Sequence, residues 1–405
     1  TLSSSSAASD VYKRQTQITV DYTSSVSGYS WVFVPNSTGW DWEVSSGVLL
    51  HTNIVETSRV IDLNEYFYRA FNFSFKPLED AFRMRIQFNM STGALIIEPR
   101  GIFFSSLIGF KEGSSASAEV FLPEGYRMVG GHALALGRSS NYPPDSVSLS
   151  RNYARFDLRE SGWIRLQIEF LTKLTTPEVI TLTQGNFAFN AVKRYERYAS
   201  DILGLFNRVY DNLVNLFNVT LENVEAQFFI PDFNDFLSVG GYVPFPGGKI
   251  GAIHINVAFT RYIEGVFEVS ALHELVHHFL WKTGISPDDL LWFHEGMAEY
   301  ISFESIMRWY PPGYEGALYE KDVLEKNAAQ INKSTGGNFN FLPQWKPGNI
   351  EYYYYAAAYY VTSRLAEKHG GLEYYTRFFE LIEGREIRDN DLLAYYLSLA
   401  ANASV

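Results

Sequence analysis

The spacing of apolar residues changes once along this chain, and that change constrains the fold more than any other feature. From Thr16 to about Gly185, apolar and polar residues alternate in short stretches broken by turn residues, as in "TQITVDYT", "SWVFVP", "FRMRIQF", "ALIIEP" and "GWIRLQIEFL". A period of two puts alternate side chains on one face, so these stretches read as half-buried strands, and strands this short and frequent predict a β-sandwich. Near Asn186 the period becomes helical: in "AVKRYERYASDILGLFNRVYDNLVNLF", Tyr195, Ile202, Leu205, Val209, Leu213 and Leu216 recur at intervals of three, four or seven. A strand, "VEAQFFIP", a Gly/Pro-rich loop, "GGYVPFPGGK", and a second strand, "IGAIHINV", follow before the chain turns almost wholly helical. A chain of 405 residues is too long for one small core. The expectation is an α+β protein: a β-sandwich domain over 16–185, then a mostly helical domain with a small β-sheet over 186–405.

Composition narrows the chemistry. Cysteine is absent, which removes disulfides, thiolate metal ligands and a cysteine nucleophile together. A net charge of −12 without clustered Lys and Arg excludes a nucleic-acid footprint and a polybasic membrane patch. No apolar run approaches the roughly 18 residues of a membrane-spanning helix. The first fifteen residues, "TLSSSSAASDVYKRQ", resemble the translated remnant of a sequencing adaptor and are set aside as a disordered, non-native leader. Sequons at Asn36, Asn72, Asn89, Asn218, Asn332 and Asn402 exceed chance and favour an extracellular or cell-surface setting. The aromatic residues of the first domain are read as packing, which makes that domain structural.

Histidine is scarce, yet five of the eight histidines, His254, His273, His277, His278 and His294, fall close together. Within "ALHELVHHFLW", His273-Glu274-Leu275-Val276-His277 forms H-E-x-x-H. Helical i and i+4 spacing puts both imidazoles on one face, within reach of one ion of zinc size, and leaves Glu274 beside it as a general base toward a water molecule. Downstream, "SPDDLLWFHEGMAEY" carries a helix-start signal: Ser286 as N-cap, Pro287 in the first turn and Asp289 three residues after the cap. The predicted helix runs from Pro287 past Tyr300, with Glu295 and Glu299 on one face. An apolar helix does not bury two like carboxylates without partners, and the simplest partner is a dication. Glu295 is therefore assigned as the third metal ligand and Glu299 as the acceptor that orients a ligating histidine.

H-E-x-x-H followed by "LWFHEGMAEY" resembles the gluzincin zinc metallopeptidases, particularly the aminopeptidase N-like branch, whose second helix carries a similar W-x-N-E-G-x-A stretch. Seventeen residues separate His277 from Glu295, one fewer than is usual there, and His294 stands where that branch has Asn. The resemblance implies a thermolysin-like catalytic domain holding one Zn2+. It also implies a tyrosine that supports the oxyanion, and aligning "EYYYYAAAYYVTSRL" on the family pattern selects Tyr354 among four adjacent tyrosines. "IGAIHINV" resembles the family's edge strand, which binds an extended peptide by strand addition, with Ala252, His254 and Asn256 on the substrate face. His254 then occupies the place of the glutamate that holds a substrate's free amine. An imidazole does not attract an ammonium, so the expected activity is cleavage within a peptide or protein chain. The rivals are an aminopeptidase that uses another carboxylate and a binding or scaffold protein with a silent metal helix.

Overall fold

The computed structural model describes the chain apart from residues 1, 4–7, 11–14, 37–38, 62–66, 91–92, 111–112, 136–140, 143–144, 148–151, 159–161, 232–238, 262–263, 347, 349–351 and 403–405. It is an α+β protein of two compact units. One comprises Thr1–Glu178, Ile230–Phe233 and Thr260–Ile263, and the other Val179–Phe229, Asn234–Phe259 and Glu264–Val405.

The first unit is built of β-sheets. Phe82–Met90, "FRMRIQFNM", shows strict alternation of buried and exposed residues, as a strand covered on one face must. A sandwich core forms where Ala116, Ala118 and Val120 with Ala154, Phe156 and Leu158, from neighbouring strands of one sheet, meet Ile164, Leu166, Ile168 and Phe170 of Gly162–Leu171 in another. A second, aromatic layer joins Tyr22 edge-on to Phe73 and Phe75, at centroid distances of 5.2 and 5.3 Å. Two short pieces of the leader are ordered as strands rather than disordered: Leu2–Ser3 and Ala8–Asp10 pair antiparallel with Gln15–Ser24. An open strand edge offers donors and acceptors to any backbone nearby; the rest of 1–14 lies outside the described residues. The sequon residue Asn72 is 5% exposed within Tyr68–Lys76, so this one is closed to a bulky modification.

The second unit opens with a hairpin, Val179–Gln184 and Phe187–Val192, earlier than the boundary expected at 185/186. Alternation identifies a strand but not its sheet. Here Phe187–Asn190 pairs in parallel with Val224–Gln227, which carries the hairpin into the second unit. The sheet continues through Ile253–Asn256 and ends at Gly241–Tyr242, the one antiparallel strand at that side. Helix α1 (Glu196–Phe217) lays Ile202, Phe206, Val209 and Leu213 inward, with Phe206 5.3 Å from Phe187 of the sheet. Six more helices follow: α2 (Val266–Lys282), α3 (Leu291–Trp309), α4 (Tyr314–Thr335), α5 (Tyr352–His369), α6 (Leu372–Leu381) and α7 (Asn390–Ala401). No helix among the described residues is long and apolar enough to cross a membrane.

Two local features position the site. The helix expected from Pro287 starts instead at Leu291. Ser286 does cap a turn, its hydroxyl accepting from the Asp289 N–H at 3.3 Å, but Leu290 leaves helical geometry (φ −127°, ψ 42°) and the helix begins after it. The α3–α5 crossing is close because Gly296 has no side chain: a Cβ there would lie 2.6 Å from the Ala358 carbonyl oxygen. Thr362 locks the crossing by donating to the Gly296 carbonyl at 2.9 Å. That contact brings the first turn of α5 alongside Glu295.

Candidate metal centre

Helix α2 is apolar on nearly every face, as a helix buried on all sides must be, and its ionisable residues are therefore the exception to explain. His273 and His277 are one turn apart with ring centroids at 4.9 Å. Glu295 Oε2, from α3, lies 3.0 Å from His273 Nε2 and 3.6 Å from His277 Nε2. Ligand atoms of all three residues fall within 4.8 Å of one another. Two imidazole nitrogens and one carboxylate oxygen are the donor set of catalytic zinc sites that keep a position open. Glu299 Oε1 stands 3.6 Å from His273 Nδ1, on the ring side opposite the ligand nitrogen. Glu274 is 5% exposed and its Oε2 has no hydrogen-bond partner, an orphaned acceptor beside the three convergent groups. Such an atom is costly unless a water or ion meets it. The donor set and this orphan together fit a catalytic metal.

The electrostatics follow from this crowding. Burial alone would strip His273 of its proton, but the hydrogen bond to Glu295 and the charges of Glu299 and Glu274 outweigh it and lift the imidazole to about 10. Burial raises Glu274 to about 7 against the opposing pull of His273 and His277, which puts its affinity for a proton near neutrality. Glu295 is buried too, yet His277 and His273 hold it well below the carboxylate range. Burial keeps His294 neutral, its pKa depressed to about 3.

The cavity over these groups is lined by Gly241, Tyr242, Val243, Phe245 and Tyr355 in addition to His273, Glu274, His277 and Glu295. Tyr355, and not the expected Tyr354, lines the cavity. Tyr354 is stacked against Trp345 at 5.2 Å and 17°, away from the cavity. The Tyr355 hydroxyl is raised by burial and by the charges of Glu295, Glu274 and Glu299, so it remains a donor. One residue is about 100° on a helix, and the family pattern fixed the phase one step off.

The expected substrate strand is also displaced. Ile253–Asn256 is an interior strand, covered by Gly241–Tyr242, which forms the edge among the described residues. His254 stacks on Tyr242 at 4.4 Å and 11°, and its ring nitrogens lie 3.2 and 3.3 Å from the Gln227 amide, so it is a packing residue outside the cavity lining. Asn256 is fully buried; it donates to the Val239 carbonyl and accepts from the Ala258 N–H, both at 2.8 Å, which clamps the turn. Ala252 precedes the strand and does not line the cavity. What sequence reasoning missed is Gly241: a Cβ there would sit 2.8 Å from Glu274 Oε1, so the glycine lets the edge backbone run against the carboxylate. The double glycine of "GGYVPFPGGK" was the available signal.

No protein-family model matches the chain, and no curated protein matches it. Among solved structures it is similar to yeast LTA4 hydrolase in complex with Bestatin, with 11% identity, a TM-score of 0.42 and coverage of 98% of this chain. It is also similar to native yeast LTA4 hydrolase, with 11% identity, a TM-score of 0.36 and the same 98% coverage. The chain spans 64% of the length of each, and at these values the likeness says nothing about activity.

Proposed function

We propose that the chain is a zinc-dependent peptidase of the gluzincin type that hydrolyses peptide bonds within a chain. The observation that carries this reading is the convergence of His273, His277 and Glu295 within 4.8 Å, with the orphaned carboxylate oxygen of Glu274 beside them. His273, His277 and Glu295 would hold the zinc ion, which would supply Lewis-acid polarisation of a carbonyl and lower the pKa of a water. Glu274, buried beside them with a free carboxylate oxygen, is placed to take a proton from the attacking water and to return it to the leaving amine. Tyr355 donates its hydroxyl hydrogen to the oxyanion as charge develops. The Gly241–Tyr242 edge accepts an extended peptide backbone by strand addition, next to the base.

The preference for internal bonds now stands on different residues. Holding a free amine needs a carboxylate beyond the ligand and the base, and the cavity lining contains only Glu274 and Glu295 among the described residues. The test compares amino-terminally blocked and free peptides of one sequence while zinc is measured in the parent and in Glu295→Ala. The expected result is cleavage of both peptides, one zinc per parent chain and none in the variant. Cleavage of the free amine alone makes the enzyme an aminopeptidase; equal zinc in both proteins overturns the metal centre.

A further inference from the structure

We infer that Asn256 is a positioning residue that sets the register of the Gly241–Tyr242 edge, so that the backbone N–H and C=O of Gly241 face the substrate beside Glu274. The substrate part of the inference rests on the peptidase reading above; the register part stands without it. Pairing within the sheet places Gly241 opposite Ile255 and Tyr242 opposite His254. In an antiparallel pair, opposed residues alternate between positions that exchange hydrogen bonds and positions that exchange none. The Asn256 N–H donates to the Gly240 carbonyl at 2.9 Å, so Gly240 and Asn256 occupy a bonded position. The next pair, Gly241 and Ile255, is then unbonded, and the N–H and C=O of Gly241 point away from Ile253–Asn256. Tyr242 turns back to His254. Gly241 therefore meets a peptide laid along the edge, and a Cβ on it would fall 2.8 Å from Glu274 Oε1, so the contact lies next to the base.

A two-residue strand has little pairing of its own to fix its phase, and Asn256 supplies the rest. Its side chain is fully buried; Nδ2 donates to the Val239 carbonyl and Oδ1 accepts from the Ala258 N–H, each at 2.8 Å. One carboxamide thus ties the approach to the edge to the turn that follows Ile253–Asn256. With its backbone N–H on Gly240, Asn256 holds both of the carbonyls that precede Gly241. The task needs a donor and an acceptor on one short side chain, which an amide has and a carboxylate lacks. On the other side, α2 sets how near the backbone lies. A Cβ on Gly240 would be 3.1 Å from Ser270 Oγ, and Ser270 and Glu274 are one helical turn apart, so the two glycines run along that face. Beyond Val243 the edge closes, because Pro244 has no N–H and its carbonyl accepts from the Gly251 N–H at 2.8 Å. Backbone pairing with a substrate is confined to the short run Gly241–Val243, which concentrates on Gly241 what a longer edge would spread.

The test has two arms. In metal-free protein, the amide hydrogen of Tyr242 should exchange at least about tenfold more slowly than that of Gly241, because the first is paired within the sheet and the second faces outward. Asn256→Ala should erase most of that difference and leave exchange in α2 unchanged. The second arm replaces amides of a blocked peptide by esters, one at a time, the scissile bond excepted. KM should rise about 5- to 10-fold at the position beside the scissile bond whose N–H meets the Gly241 carbonyl, and less than about twofold outside the stretch that faces Gly241–Val243. On the all-amide peptide, Asn256→Ala should raise KM by about the same factor, with kcat within about twofold and zinc content unchanged. The ester penalty should then vanish in the variant, whereas damage to the fold at large would leave the two effects additive. Equal exchange of the two amides in the parent, or an ester penalty that survives Asn256→Ala, overturns the inference. If no peptide is cleaved the peptidase reading falls, and the exchange arm still decides the register; it does so on the parent alone if the alanine variant does not fold.

Discussion

Two regions meet at the cavity and supply opposite kinds of group. The α2–α3 pair contributes ionisable side chains at close range, His273, His277, Glu274, Glu295 and Glu299, each perturbing its neighbours. The Gly241–Tyr242 edge and the first turn of α5 contribute backbone, aromatic faces and the hydroxyl of Tyr355. Charge in a buried site is set by a few atoms that no neighbour can replace, because the surroundings do not screen it. Shape is spread over many contacts. Substitutions in the first region should therefore stop the chemistry, and substitutions in the second should grade it.

Glu274→Gln tests that division most severely. The amide keeps the volume but cannot take a proton, so kcat should fall about 10³- to 10⁴-fold while zinc content stays at the parent's value. Steady-state kinetics and metal analysis on one preparation decide it. Activity within tenfold of the parent would mean that the buried carboxylate is not the base, and the contrast between the regions would collapse.

A smaller effect sharpens the boundary between them. Tyr355→Phe removes the one donor that α5 aims into the cavity and should lower kcat about 10²- to 10³-fold with KM nearly unchanged. Tyr354→Phe removes a hydroxyl from a ring stacked on Trp345 and should stay within about twofold. The reverse order would restore the role to Tyr354 and imply that α5 is rotated by one residue relative to α3.

The same contrast explains which parts were legible in the sequence. His273, His277 and Glu274 share one helix, and the 3.6-residue period turns their spacing directly into geometry. Glu295 and Glu299 were legible because carboxylates on an apolar helix require a partner. The Gly241–Tyr242 strand is two residues long and carries no period at all; it is an edge only because Ile253–Asn256 pairs with it from twelve or so residues away in sequence. The phase of α5 depends on how closely Gly296 lets Ala358 approach, a contact between helices that alternation within either one does not encode. The boundary expected at 185/186 falls inside the hairpin of Val179–Gln184 and Phe187–Val192 for the same reason: the hairpin's sheet is decided by the parallel pairing of Phe187–Asn190 with Val224–Gln227. Asn256 alternated onto the expected face, but full burial made it a backbone clamp.

The smallest predicted effect is the most informative about substrate. His254→Ala removes a ring stacked on the exposed Tyr242 and a contact with the half-buried Gln227, so it should cost about 1 kcal/mol of stability or less. It leaves the backbone of Ile253–Asn256 paired on both sides, so the Gly241–Tyr242 edge keeps its place against Glu274. The ratio of rates on blocked and free peptides should therefore stay within about twofold of the parent's, because a loss of about 0.4 kcal/mol or less in either transition state is all that an indirect contact transmits. If instead the variant changes that ratio by tenfold or more, His254 faces the substrate's terminus. The interior strand would then have to act as the recognition edge, and the separation between a charge-bearing helix pair and a shape-bearing rim would have been drawn through the wrong strand.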